Sequence, residues 1–289
     1  MSENIIDRAN AFIEQPFPLW ENDLTAALVE NKWNELKAEG LSGADEYTTA
    51  WPISGKKGID NEKIAISESL EGDTVFLELP QFDSLGDFYE EHGLVLCSEK
   101  ELISTEALQK IKSAFALFEL VPGLNNCICK LVRSIQVLKQ DDPKTDTSYS
   151  HPKIPFSIFV SVCEDNSPIS ALRVAESILH EAMHLKLTLL ENVVPMIKPN
   201  STELFFSPWR EEERPIRGVL HGLFVFRAIG CLYSKLVEGN LLPENIADYC
   251  KYRITEIRKE ALFLSKFPSI NSFSSNGRKF SKELIAGKH

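Results

Sequence analysis

Apolar positions in the first 39 residues recur at helical spacing. Phe12 and Ile13 fall in one short segment, and Leu24, Ala27, Leu28, Trp33 and Leu36 form a stripe along a second, which Gly40–Gly43 ends. Two helices are predicted there. Between 44 and 80 the apolar runs are short (Lys63–Ile66, Thr74–Leu79) and broken by Gly, Asp and Pro, which reads as strands or loops. Helical spacing returns from Thr105 to Leu120, stops at Val121-Pro122-Gly123, and is predicted again over Asn125–Lys139. The polar run QDDPKTDTS is a solvated connector and the expected internal boundary. It separates an N-terminal mixed helical and strand region, 1–140, from a region 141–289, unless the two form one continuous domain.

Beyond the connector, PFSIFVSV (Pro155–Val162) is apolar and β-branched, as one buried strand would be. A helix is predicted from Ser170 to about Val194, halted by Pro195. A polar connector follows over 195–208, then a helix opening at Pro215 and running to Gly239. Helical segments fill 244–265, and the tail from Ser269 reads as polar and mobile. The expected fold class is α+β, mainly helical, with a small sheet.

The balance of 31 Lys plus Arg against 42 Asp plus Glu gives a formal charge of −11. Such a surface repels phosphate backbones and anionic lipid, so neither nucleic acid nor membrane is an expected partner, whereas a basic peptide would be attracted. The polar amino end, MSENIIDRANAFIEQ, lacks a secretory apolar core, and even the apolar run Val219–Tyr233 carries His221 and Arg227. We therefore expect a soluble, cytoplasmic protein whose six cysteines are reduced, largely buried thiols.

The chemistry is concentrated in His180-Glu181-Ala182-Met183-His184. A spacing of i, i+4 puts both imidazoles on one helix face, where they can grip a single ion, with Glu181 beside them. Leu172, Val174, Ile178, Leu179, Leu187 and Leu190 make the surrounding helix apolar, and burying two histidines and a glutamate there costs several kcal/mol unless something satisfies them. A metal would do so; two core histidines bonded to carbonyls is the plainer alternative. A catalytic metal needs a third protein ligand. Glu203 stands at the distance at which one class of zinc metallopeptidases supplies a glutamate, but in a polar connector where a carboxylate needs no metal. His221 lies between Leu220 and Leu223 on an apolar helix and is the expected third ligand. Arg217 and, one turn further back, Arg214 can share its face; with Arg210 they offer guanidinium clamps for a carboxylate cosubstrate, while Glu211–Glu213 read as solvated.

The run SPWREEERPIRGVLHGLFVF, with the upstream LHEAMH and the SYSHPKIPFSIFVSV strand, resembles the HExxH-type iron and 2-oxoglutarate-dependent peptide β-hydroxylases, which are associated with ribosomally made, post-translationally modified peptides. The resemblance covers about residues 148–236. It implies that His180, His184 and His221 hold Fe(II), that Arg210 and Arg214 lie on the 2-oxoglutarate side, and that O₂ and a ribosomally made precursor peptide are the other reactants. Arg217 is added from helix geometry alone. Zinc could occupy such nitrogen ligands adventitiously. Glu181 would then orient ligands or substrate. In the alternative, a zinc metallopeptidase, it would activate a metal-bound water; a third reading is an inactive metal-binding scaffold. The expected helix is zincin-like, His151 is expected to be a surface or loop histidine, and the strand 155–162 could offer an edge to an extended peptide or lie inside the sheet.

Overall fold

The computed structural model describes residues 4–43, 46–55, 63–140, 142–163 and 165–287. Parts of three sequence expectations lie outside the described residues: 1–3 of the polar amino end, 44–45 and 56–62 of the strand-or-loop stretch, and 141 of the connector. The fold is α+β, 55% helical, with a small mixed sheet. In chain order the helices are α1 (Ile5–Glu14), α2 (Asn22–Ala38), α3 (Trp51–Ser54), α4 (Phe82–Glu91), α5 (Glu99–Ser104), α6 (Ala107–Glu119), α7 (Leu124–Leu131), α8 (Ser170–Val193), α9 (Ile216–Glu238), α10 (Glu244–Phe263) and α11 (Ser275–Ala286). The strands are β1 (Lys63–Glu68), β2 (Thr74–Glu78), β3 (Ser134–Leu138), β4 (Ser148–Ser150), β5 (Ser157–Ser161), β6 (Leu204–Ser207) and β7 (Glu212–Pro215). Contacts divide the chain into two compact units, Val29–Leu185 and Met1–Leu28 with Lys186–His289. Both divisions fall within helices, α2 and α8, and the 140–148 connector lies inside the first of these units.

In the unit Val29–Leu185 the strands run in the order β1-β2-β3-β5-β4. The β1–β2 and β4–β5 pairs are antiparallel, and β2–β3 and β3–β5 are parallel. Two expectations are corrected here. The helix predicted over Asn125–Lys139 ends at Leu131, because Val132 turns to extended backbone and Ser134–Leu138 becomes β3. Its β-branched Ile135 and Val137 favour a pleated surface, and partners on both sides outweigh the helical spacing. The strand over 155–162 forms as β5, but it is internal: β3 and β4 flank it and every residue of Ser157–Ser161 is buried. The edge belongs to β4.

One carboxylate is buried in this sheet. Glu78, 1% exposed, accepts from the Thr49 backbone N–H (3.2 and 3.1 Å), from Thr49 Oγ1 (2.8 Å), and from Ser134 and Gln81. Thr49 Oγ1 also reaches Ser157 Oγ (2.9 Å), which meets Tyr47 Oη (3.0 Å). These donors offset much of the cost of burying the group. Burial nonetheless pushes the Glu78 pKa up.

Among its described residues, the unit formed by Met1–Leu28 and Lys186–His289 carries helices and the β6–β7 hairpin, whose first strand lies in the expected 195–208 connector. α9 is long and apolar enough to cross a membrane by length and composition, but 78% of its apolar window is buried within the fold. The tail is corrected: rather than trailing from Ser269, the chain forms α11, capped by Ser274. Gly277 lets this helix sit against the Met196 carbonyl, where a Cβ would come within 1.9 Å. Its Phe280 is fully buried, with ring centroids 5.9 Å from Phe12 on α1 and 5.7 Å from Phe224 on α9. All six cysteines are free and buried, as expected.

Phe280 therefore supplies a core contact rather than a surface tail. Phe280→Ala is expected to destabilise the protein by about 3–5 kcal/mol. A change below about 1 kcal/mol in urea unfolding would show instead that α11 is dispensable.

Candidate metal centre

α8 is buried around most of its circumference, but not evenly. Arg173, Glu176, His180, His184, Thr188 and Glu191 are half-buried, while almost every other side chain from Leu172 to Leu190 is buried. Steps of three and four residues put these six on one stripe. The histidines thus stand on the accessible face of a core helix. Their Nε2 atoms are 3.1 Å apart and their ring centroids 4.7 Å. That separation suits a hydrogen bond in which one neutral ring donates to the other. It also suits joint ligation: two nitrogens about 2.1 Å from one ion stand about 3.0 Å apart at a right angle and about 3.4 Å apart at the tetrahedral angle.

Glu181 leaves the stripe and turns inward, 3% exposed. Its Oε1 accepts from Ser148 Oγ at 2.6 Å and its Oε2 from Ser150 Oγ at 2.5 Å. Ser148 and Ser150 are alternate residues of β4 and so project from the same face of the sheet. Tyr149 between them projects from the other, toward Phe159 and the rings of His92 and His151. His180 Nε2 is 4.0 Å from Glu181 Oε1, close enough for the carboxylate to bias the ring without a direct bond. His151 is half-buried and accepts from the Lys153 N–H through Nδ1 at 3.2 Å. Burial and the neighbouring His92 lower its pKa.

His221, 5% exposed on α9, lies within hydrogen-bond distance of Glu191 Oε2 through its Nε2, at 3.0 Å. Arg217, one turn earlier, donates through Nε to the same oxygen at 2.8 Å and through a terminal nitrogen to Thr188 Oγ1 at 3.3 Å. Burial outweighs this partnership and lowers the His221 pKa. Glu191 is held below the usual carboxylate range because His221 and Arg217 more than offset its burial. Arg214 pairs with Glu212 at 3.0 Å on the β6–β7 hairpin, beside Gly218 of α9. Arg210 is exposed in the turn of that hairpin. Glu203 accepts from Ser272 Oγ at 2.5 Å.

The structure thus brings His180 and His184 together and brings His221 to Arg217. Among the described residues, no group of three or more His, Cys, Asp and Glu side chains forms a cluster that could hold a metal ion. Sequence reasoning missed Glu191, Thr188, Ser148 and Ser150. Glu191 was detectable, standing seven residues past His184 on the same face. The serines were not, because nothing local ties residues 148 and 150 to a helix thirty residues on. The glycine of the LHG run has a packing role: a Cβ on Gly222 would strike the Trp209 ring at 2.8 Å, and that ring stacks on Phe226 at 4.9 Å. No family model matches the chain, and no curated protein matches it.

The serine pair gives a double-mutant test. Ser148→Ala or Ser150→Ala removes a donor to a buried carboxylate and is expected to cost about 1–3 kcal/mol. In a Glu181→Met background the same changes should cost little. Equal costs in both backgrounds would show that the serines act independently of Glu181.

Proposed function

We propose that the protein is an Fe(II)- and 2-oxoglutarate-dependent oxygenase that hydroxylates a side-chain Cβ of a peptide, with a ribosomally made precursor as the substrate class. The observation that carries this reading is the pair of imidazoles at 3.1 Å on the one accessible stripe of an otherwise buried helix. The donor chemistry fits: neutral imidazole nitrogens suit Fe(II) and would also retain zinc adventitiously. His180 and His184 would hold the ion in a zincin-like helix. His221 is proposed as the third ligand on the sequence resemblance. To ligate through Nε2 it would have to give up Glu191, which Arg217 would still hold.

Iron with 2-oxoglutarate and O₂ bound supplies the oxidant for a C–H bond. The chain's own residues bind and orient. Arg210, Arg214 and Arg217 are the candidate carboxylate clamps, and Arg210 and Arg217 are exposed to solvent. Glu181, each of whose oxygens accepts from a serine hydroxyl, would orient the His180 turn. Its inward turn at 3% exposure, away from the accessible stripe, favours the oxygenase over the metallopeptidase, whose glutamate must reach the attacking water. Glu203, the peptidase's expected ligand, is exposed and accepts from Ser272.

The purified protein, reconstituted anaerobically with Fe(II), is expected to release succinate from 2-oxoglutarate once O₂ is admitted. Zinc should not support turnover. Glu181→Gln should slow succinate release by about 10–100-fold rather than abolish it. Peptide cleavage supported by zinc without O₂ would overturn the proposal in favour of the metallopeptidase.

A further inference from the structure

The two edges of the five-stranded sheet are built differently. β1 opens with Lys63, ends with Glu68, and is interrupted by an irregularity between Ala65 and Ser67. Charges and bulges of this kind keep an edge from pairing with another chain. β4 has none of them. Its sequence is Ser-Tyr-Ser, it is half-buried throughout, and its pairing with β5 is regular over all three residues. Its shortness keeps it from templating long sheets but leaves room for a brief contact.

The direction of its free groups follows from the ladder. The Ser161 N–H bonds the Thr147 carbonyl at 2.8 Å, so Thr147 and Ser161 form a hydrogen-bonded antiparallel pair. Bonded and non-bonded pairs alternate. Tyr149 therefore faces Phe159 with its backbone groups, while those of Ser148 and Ser150 point outward from the sheet. The side chains of these same two serines hold Glu181 of the HExxH turn.

We propose that β4 is where an extended segment of the substrate peptide pairs, as an added strand bonded to the outward backbone groups of Ser148 and Ser150. The identity of the occupant rests on the peptide-oxygenase reading above; the edge position of β4 and the outward direction of its backbone groups do not. Side chains of an added strand alternate, one set on the Glu181 side and the other on the Tyr149 side. The modified residue belongs to the first set and its immediate neighbours to the second. The formal charge of −11, with Glu181 and Glu91 within electrostatic reach of Tyr149, favours a net-positive segment, although Lys153 lies beside His151.

The test selects binders to the full-length protein from a randomised, net-positive nonapeptide library and scans each binder by single backbone N-methylation. Pairing on β4 predicts a period of two: methylation at alternate residues weakens Kd by about tenfold and at the intervening residues has little effect. Peptide binding should also slow hydrogen exchange at Ser148 and Ser150. No enriched peptide, an N-methyl profile without that period, or unchanged exchange at both serines would overturn the proposal. The two readings can fail separately. A peptide that supports succinate release without the period leaves the oxygenase standing, and a periodic binder never oxidised by the iron-loaded protein leaves the edge standing.

Discussion

The candidate site depends on the burial of one carboxylate. Glu181 sits in a core helix at 3% exposure, where an acid without hydrogen-bond donors would cost several kcal/mol. Ser148 and Ser150 provide one hydroxyl to each oxygen. Because alternate residues of a strand share a face, both bonds form only if β4 lies along α8 in one register. A slip of one residue would present Tyr149 instead. The requirement to satisfy Glu181 thus fixes the edge of the sheet against the turn that carries His180 and His184.

A second polar group follows the same logic further along the helix. Glu191 is two turns past His184 on the accessible stripe, and its carboxylate gathers Arg217 and His221. One helix face therefore carries an imidazole pair and then a carboxylate with cationic and imidazole partners. The first arrangement sets two imidazole nitrogens 3.1 Å apart. The second is a charge-assisted cluster that, in this structure, accounts for the burial of His221 without a metal.

Legibility from sequence followed locality. The spacing of apolar residues predicted α1, α2, α6, α8, α9 and α10 because each buries a stripe of its own. It failed where pairing decides the outcome. Ser134–Leu138 has helical spacing yet is held as a strand between β2 and β5, and Ser275–Ala286 looks polar but buries Phe280 and Leu284 on one face. The site divides in the same way. The His180–His184 pair is a property of one turn and was legible; the Ser148 and Ser150 contacts depend on tertiary register and were not. Whether strand 155–162 was an edge likewise turned on β4, a three-residue strand too short to read from pattern.

The proposed chemistry requires both imidazoles of the HExxH turn to serve one ion. X-ray absorption at the iron edge, on protein loaded anaerobically with one equivalent of Fe(II), tests this directly. Joint ligation predicts a first shell of nitrogen and oxygen with outer-shell scattering from at least two imidazole rings, diminished in both His180→Ala and His184→Ala. Stoichiometric iron without imidazole scattering, or a spectrum unchanged in both variants, would contradict it.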